Sequence, residues 1–284
     1  MTRLQADDTW WLGVAVAAFA VIAGQTVMVV GEAPAHAPWI QFVAITLTAA
    51  SFPLIVLGAE QAMRWPLATL WLGVGAILLT LLFGPEIEGV RRWAGMAGVA
   101  LHVGHLVTPL AIAVAASRPG PWPTTGLALL SLGFALQPDA AALVGLSAAL
   151  GMLLAFSRSL WSAAALSVAL VATVLALVHP AQVAPVAFVE GMPMTALRMQ
   201  VWLGLLVAFG LCLLPVPFVF IATQGRRRRP LAAALAGYWI GLIGASFIGA
   251  FPTPLVGFGV GPILGYVLSW ALVRVGPPAS PRQR

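Results

Sequence analysis

Residues 140–178 read AAALVGLSAALGMLLAF, then Ser157-Arg158-Ser159, then LWSAAALSVALVATVLALV. Arg158 is the only charged residue in the stretch. Each arm is apolar on every side, so neither is a surface helix of a water-soluble bundle, which would keep one polar face. A helix needs about 20 apolar residues to cross the hydrocarbon core of a bilayer. The stretch therefore predicts two membrane-crossing helices, Ala140–Phe156 and Leu160–Val178, joined by a turn at the arginine.

The same pattern extends in both directions. Eight more apolar segments separate along the chain, at about Trp10–Val30, Ile40–Leu57, Pro66–Phe83, Gly95–Ala116, Thr124–Leu136, Leu197–Ala222, Leu231–Ala250 and Val256–Arg274. Several begin or end at Trp, as segments bordered by an interfacial aromatic belt do. The expectation is an all-α integral membrane protein of ten transmembrane helices, one polytopic domain over residues 1–284. The first segment is too long for a signal-peptide core, although Ala35-His36-Ala37 looks like a cleavage site. Its leader also carries Asp7 and Asp8 beside Arg3, so it is expected to remain as a span.

Composition points the same way. The 284 residues are 61% hydrophobic and 8% charged, with a mean hydropathy of +1.00. Soluble domains average about 45–50% apolar and about 25% charged. A soluble enzyme, a disordered chain and a nucleic-acid-binding domain are excluded. The fourteen basic residues are all arginine, and they lie between apolar segments, where they act as topology signals. The single cysteine, Cys212, sits in an apolar run and reads as a small buried hydrophobe.

With ten spans both termini share a side. Placing them in the cytoplasm puts Arg3, Arg64, Arg118, Arg158, Arg226 to Arg229, Arg274, Arg282 and Arg284 inside, and only Arg91, Arg92 and Arg198 outside. That distribution obeys the positive-inside rule. Five acidic residues, Glu32, Glu86, Glu88, Asp139 and Glu190, then fall outside, against Asp7, Asp8 and Glu60 inside. The run from Arg226 to Arg229 reads as an anchor on anionic headgroups. No Walker-type loop is present, and Gly257-Phe258-Gly259-Val260-Gly261 lacks the strand and spacing of a dinucleotide fingerprint. It reads instead as close backbone packing at a helix start. Unusual chemistry is therefore expected on the outer face, without a cofactor, a metal or nucleic acid.

Four groups stand out there. In Glu86-Ile87-Glu88-Gly89-Val90-Arg91-Arg92-Trp93, two carboxylates and two guanidiniums form a mutual network, or the arginines clamp a phosphate, or the segment only anchors at the interface. Gln137-Pro138-Asp139 ends a short helical segment, so its turn lies beneath the outer surface, where an aspartate needs a partner or a wet cavity. A structural turn reaching water is the other reading. The connection from Val178 to Ala196 is the longest outer one, and Glu190, its only carboxylate, is either its one candidate general base or a solvated loop residue. His102 and His105 would share a face of the fourth span, as core hydrogen-bonding groups or as metal ligands without an identifiable partner.

Three motifs, in order, resemble the SEDS family (shape, elongation, division, sporulation), the FtsW/RodA/SpoVE proteins. Gly89-Val90-Arg91-Arg92-Trp93 is similar to its Gly-x-Arg-Arg-Trp, Leu136-Gln137-Pro138-Asp139 to its Leu-Gln-Pro-Asp, and Pro252-Thr253-Pro254-Leu255-Val256-Gly257-Phe258-Gly259 to its Pro-Leu-Pro-Phe-Ile-Ser-Tyr-Gly-Gly. The likeness runs from about residue 84 onward, and the ten-span count is also the family's. It implies a divergent, shortened SEDS-like bundle in the bacterial inner membrane that polymerises a lipid II-like, undecaprenyl-linked saccharide into glycan on the outer face, as a peptidoglycan glycosyltransferase of cell shape or division. It also implies membrane lipids and a single-span transpeptidase or other membrane protein as partners.

The family's His-Thr-Asp-Phe motif is absent before span eight, where the chain reads Phe188-Val189-Glu190-Gly191-Met192, and its Pro-Ser-Glu motif is replaced around His102 to His105. The resemblance thus offers Glu190 or Asp139 as the catalytic base, and Arg91, Arg92, Trp93 and Gln137 as substrate-binding residues. A catalytically degenerate scaffold or regulator of an envelope complex, and a lipid-linked saccharide transporter, are the alternatives.

Overall fold

The computed structural model describes residues 10–96, 99–180, 186–249 and 251–276. Arg3, Asp7, Asp8, Arg282 and Arg284, part of the 178–196 connection, and Ala250 at the expected end of span nine lie outside them. The described residues form thirteen helices and one two-stranded hairpin. The chain is a multi-pass, all-helical membrane protein.

Proline sets many of the boundaries. It stands at the first or second position of α3 (Phe52–Arg64), α4 (Pro66–Phe83), α6 (Pro121–Leu136), α9 (Met192–Met199), α11 (Val216–Gln224) and α12 (Arg229–Ile248). Its missing N–H costs nothing there, because the first turn of a helix has no internal acceptor to satisfy. Helices α1 (Trp10–Val30), α4, α7 (Ala140–Ser157), α8 (Leu160–Val178), α12 and the α10 (Val201–Leu213)–α11 pair are long and apolar enough to cross a membrane. The α2 (His36–Ala50)–α3 pair is a seventh candidate if its two halves count as one span. Shorter apolar helices are α5 (Gly104–Ser117) and α13 (Val260–Val275).

These elements, with α6, follow the ten expected segments in order, and three expectations need correction. The fourth segment does not begin as helix: β1 (Trp93–Met96) pairs antiparallel with β2 (Val99–His102), with Trp93 opposite His102. Two glycines in Trp93-Ala94-Gly95-Met96-Ala97-Gly98 weaken a helix by about 1 kcal/mol each. His102 is therefore at a strand end and His105 in a helix, not on one helical face. The second segment bends by 66° between α2 and α3, where Pro53 starts the new helix. The eighth begins at Val201, because extended backbone at Gln200 separates α9 from α10. α9 folds back so closely that a side chain on Gly204 would meet the Leu197 backbone at 2.9 Å.

The core is built on small residues. α12 packs along α7, and a Cβ on Gly241 would lie 2.8 Å from the Gly145 Cα, so the two backbones are nearly in contact. Close backbone approach of this kind is how helices associate when lipid removes the hydrophobic drive. At the Leu214-Pro215 break between α10 and α11, the Tyr266 hydroxyl of α13 donates to the Leu214 carbonyl at 2.8 Å. A buried carbonyl is thereby satisfied where no water reaches it.

Candidate active site

The turn after α6 is bound to the hairpin. Asp139 is the N-cap of α7, its Oδ1 accepting from the Ala142 N–H at 3.1 Å. Its Oδ2 stands 3.0 Å from His102 Nε2, and the aspartate is 3% exposed. Burial alone would raise its pKa, but His102, the Arg92 guanidinium and the Ala142 N–H together hold it below the ordinary carboxylate range. This is the kind of partner that a buried carboxylate requires. Behind it, the His102 and His105 rings lie 4.5 Å apart, and the Trp93 ring meets His102 edge-on. Among the described residues no group of three or more potential ligands could hold a metal ion.

The two neighbouring arginines part company. Arg91 is exposed and donates from Nε and Nη2 to one oxygen of Glu86, at 3.0 and 2.8 Å, and from Nη1 to the Leu82 carbonyl. Arg92 turns inward, 8% exposed, with its guanidinium 4.8 Å from the centre of the Trp93 ring. Its Nε has no hydrogen-bond partner among the described residues. The charge of Arg92 acts on both Asp139 and Glu190. Gln137 sits apart from this group: it is buried and its Nε2 donates to Thr80 Oγ1 at 2.8 Å, which joins the end of α6 to α4.

Glu190 is presented by two interlocked loops. It bridges to Pro252, the Thr253 N–H donates to the Val189 carbonyl at 2.8 Å, and the Phe258 N–H donates to the Phe188 carbonyl at 3.0 Å. A Cβ on Gly257 would come within 2.3 Å of the Val189 oxygen, so only glycine permits this approach. The second loop is held from below by Gln41 of α2, whose Nε2 donates to the Leu255 and Gly257 carbonyls. Glu190 itself is half-buried, and its Oε2 accepts from the Val186 N–H at 3.3 Å. Partial burial raises its pKa, with Glu88 adding to the rise and the Val186 N–H and Arg92 opposing it.

α13 joins the two halves. Its first turn is so close to the histidines that a Cβ on Gly261 would lie 3.1 Å from His105 Nδ1 and 3.4 Å from His102 Cβ. The three motifs at residues 89–93, 136–139 and 252–259 therefore meet at one end of the bundle, with Glu190 beside them.

No family model matches the sequence, and no curated protein matches it either. Solved structures do. The crystal structure of the rod shape determining protein RodA of Thermus thermophilus superposes with a TM-score of 0.70 over 97% of this chain and 97% of that one, at 18% sequence identity. The chain has the RodA fold. An aspartate-to-alanine mutant of the same Thermus thermophilus RodA matches at a TM-score of 0.69 and 18% identity, over 96% of this chain and 97% of its own. In this RodA fold the Glu190 loop and the 252–259 loop form one unit. Sequence reasoning did not find the residues that hold the site together: His102 as the partner of Asp139, Gln41 as the prop of the second loop, and Thr253, whose Oγ1 accepts from the Met192 N–H. A histidine in the Pro-Ser-Glu region was the one available signal for the first of these.

Proposed function

We propose that the protein is a divergent SEDS member of the bacterial inner membrane, oriented with both termini in the cytoplasm, that assembles envelope glycan from a lipid II-like, undecaprenyl-linked saccharide on the outer face. The observation that carries this reading is the placing of a half-buried carboxylate with a raised pKa, Glu190, in the field of a buried arginine whose Nε is free. Such a pair suits glycosyl transfer. The Glu190 carboxylate takes the proton of an acceptor sugar hydroxyl, and that oxygen attacks the anomeric carbon of the donor. The bond to the lipid pyrophosphate breaks, and Arg92 takes up the charge that develops on the leaving group.

The other residues support these two. Asp139 Oδ1 caps α7 and Oδ2 is buried against His102, so Asp139 is a positioning residue in this scheme. Trp93 orients Arg92 through its ring, Arg91 braces the preceding turn through Glu86, and Gln137 fixes the depth of the Asp139 turn against α4. A non-catalytic scaffold is the second reading, favoured by the lack of the family's His-Thr-Asp-Phe aspartate at Phe188-Val189-Glu190-Gly191-Met192. The test is glycan chain formation from lipid II by the purified protein in liposomes. Chains made by the native protein and lost in Glu190→Gln support the polymerase. Chains made equally well by Glu190→Gln overturn the assignment of the base, and no chains from either protein favour the scaffold.

A further inference from the structure

The 252–258 loop is strained where it is most deeply buried. The Val256 N–H donates to the Pro254 carbonyl at 2.8 Å and closes a three-residue turn whose central residue, Leu255, has a φ of +62°. That is the rare hand of the γ-turn, in a region of backbone space that leucine seldom enters. Leu255 and Val256 are fully buried, and Thr253 nearly so. The partner loop carries a residue of the same kind: Phe188, two positions before Glu190, has a φ of +59°. Non-glycine residues keep such conformations only where their surroundings impose them, and they gather at sites whose geometry matters.

The surroundings here are α1 and α2. A Cβ on Gly24 of α1 would run into the Val256 carbonyl, and one on Gly31 would lie 2.8 Å from the Phe188 ring. At the start of α2, the His36 ring meets Phe258 edge-on. Those contacts are packing, whereas Gln41 makes a polar hold. Its Nε2 donates to the carbonyl of Leu255, at the centre of the strained turn, and to that of Gly257 just after it. Gln41 is wholly buried, and its Oε1 has no hydrogen-bond partner among the described residues. An amide is costly to bury, so what offsets that cost here is the grip on those two carbonyls.

From the turn the constraint runs to Glu190. The Thr253 and Phe258 N–H groups, on either side of the turn, donate to the Val189 and Phe188 carbonyls, and the Met192 N–H donates to Thr253 Oγ1 at 3.3 Å. Glu190 lies between these fastened residues.

We propose that Gln41 is a positioning residue for Glu190: its amide clamps the strained Leu255 turn, and the clamped loop holds the Glu190 carboxylate in place. Its part in turnover rests on the reading of Glu190 as the base, but the clamp itself does not. Gln41→Met keeps the length of the side chain and removes both donated bonds. Hydrogen–deuterium exchange of the whole protein in nanodiscs, followed by mass spectrometry, reads the result. The amides of Thr253, Gly257 and Phe258 are expected to exchange about tenfold faster, the equivalent of one lost buried hydrogen bond, while α7 and α12 keep their native protection. No change at these amides overturns the clamp, and an equal rise in α7 and α12 overturns it too, because Gln41 is then an ordinary core residue. Where Gln41→Met gives no folded protein, Gln41→Asn, which keeps the amide but withdraws it by one methylene, is read in the same way.

A pH–rate profile of glycan formation in liposomes tests the link to Glu190. Loosened loops return the carboxylate to water, so in Gln41→Met the acid limb is expected to move toward the ordinary carboxylate range. Loss of folded protein would lower the whole profile without moving it. An unmoved limb beside faster loop exchange refutes the positioning role and leaves the clamp. Absence of glycan from the native protein removes the reading of Glu190 as the base, and the clamp then stands or falls on exchange alone.

Discussion

The pair of His102 and Asp139 allows a sharp test, because Asp139 holds two structures together with two different oxygens. Oδ1 caps α7 and Oδ2 faces His102, 37 residues earlier in the chain. Asp139→Ala removes both roles. Losing an N-cap costs about 1 kcal/mol, and breaking a buried ion pair by removing one partner costs about 3–5 kcal/mol. The sum is about 4–6 kcal/mol, a large part of the stability of most domains. Asparagine is as good an N-cap as aspartate, so Asp139→Asn keeps the first role. Its neutral carboxamide stays in place opposite His102, and the expected loss is about 2 kcal/mol, the worth of the carboxylate charge there. The two variants should therefore differ by at least about 2 kcal/mol.

Reversible unfolding in bicelles, with His102→Gln and the double variant, completes the cycle. A coupling of about 2 kcal/mol between the two positions is expected for groups in direct contact. The pH dependence has a definite sign. The Asp139 carboxyl is held below its ordinary range, so its contribution is present above the unfolded carboxylate pKa and is lost as the pH falls through the lower native value. Equal losses in Asp139→Asn and Asp139→Ala, or additivity with His102→Gln, would show that the contact carries no energy and that the hairpin is held by packing alone.

Other consequences are simpler to state. If Glu190 is the base, turnover should fall on the acid side at a pH above the ordinary carboxylate range, because burial favours its protonated form; a pH–rate profile in liposomes reads this directly. Gly257→Ala should prevent the two loops from closing, since its Cβ would sit 2.3 Å from the Val189 oxygen, and limited proteolysis between residues 186 and 192 should become faster. Arg91→Ala should change stability by less than about 0.5 kcal/mol, its partner Glu86 being exposed with it. Arg92→Ala should instead abolish turnover in the same liposome assay. Tyr266→Phe leaves the Leu214 carbonyl without its donor at the α10–α11 break and should lower unfolding free energy by about 1–3 kcal/mol.

Much of the helical order was legible before any coordinates. Trp10–Val30 and Pro66–Phe83 have the bounds that hydropathy and proline placement predict. Both signals are local, and a bilayer forces every apolar segment to satisfy its own backbone. What escaped was non-local. Hydropathy does not distinguish Trp93–His102 as a hairpin from the first turns of a helix, because the choice depends on His102 meeting Asp139 across the bundle. The bend at Ser51 was hidden in the same way: α2 and α3 are both apolar, and only their packing shows the 66° turn. Arg91 and Arg92 were indistinguishable as adjacent letters. Backbone pairing at Ile87 and Val90 turns one outward to Glu86 and the other inward over Trp93.

The candidate carboxylates illustrate how burial decides a role that residue type leaves open. Two acidic groups lie near Arg92, and either has the chemistry of a base. A base must have a lone pair free to meet a substrate proton and must be able to hold that proton once taken. Asp139 is the poorer candidate in this arrangement, since Oδ1 caps α7, Oδ2 is buried 3.0 Å from His102 Nε2, and its environment favours the ionised form. Glu190 meets both, with one weak backbone donor and partial burial that raises its affinity for a proton. Its position also depends on a loop rather than a helix end, and that loop is fastened to residues 252–258 by backbone bonds and by the Met192 N–H donating to Thr253 Oγ1. The base can therefore be moved by any event that opens the paired loops, whereas Asp139 cannot leave without uncapping α7.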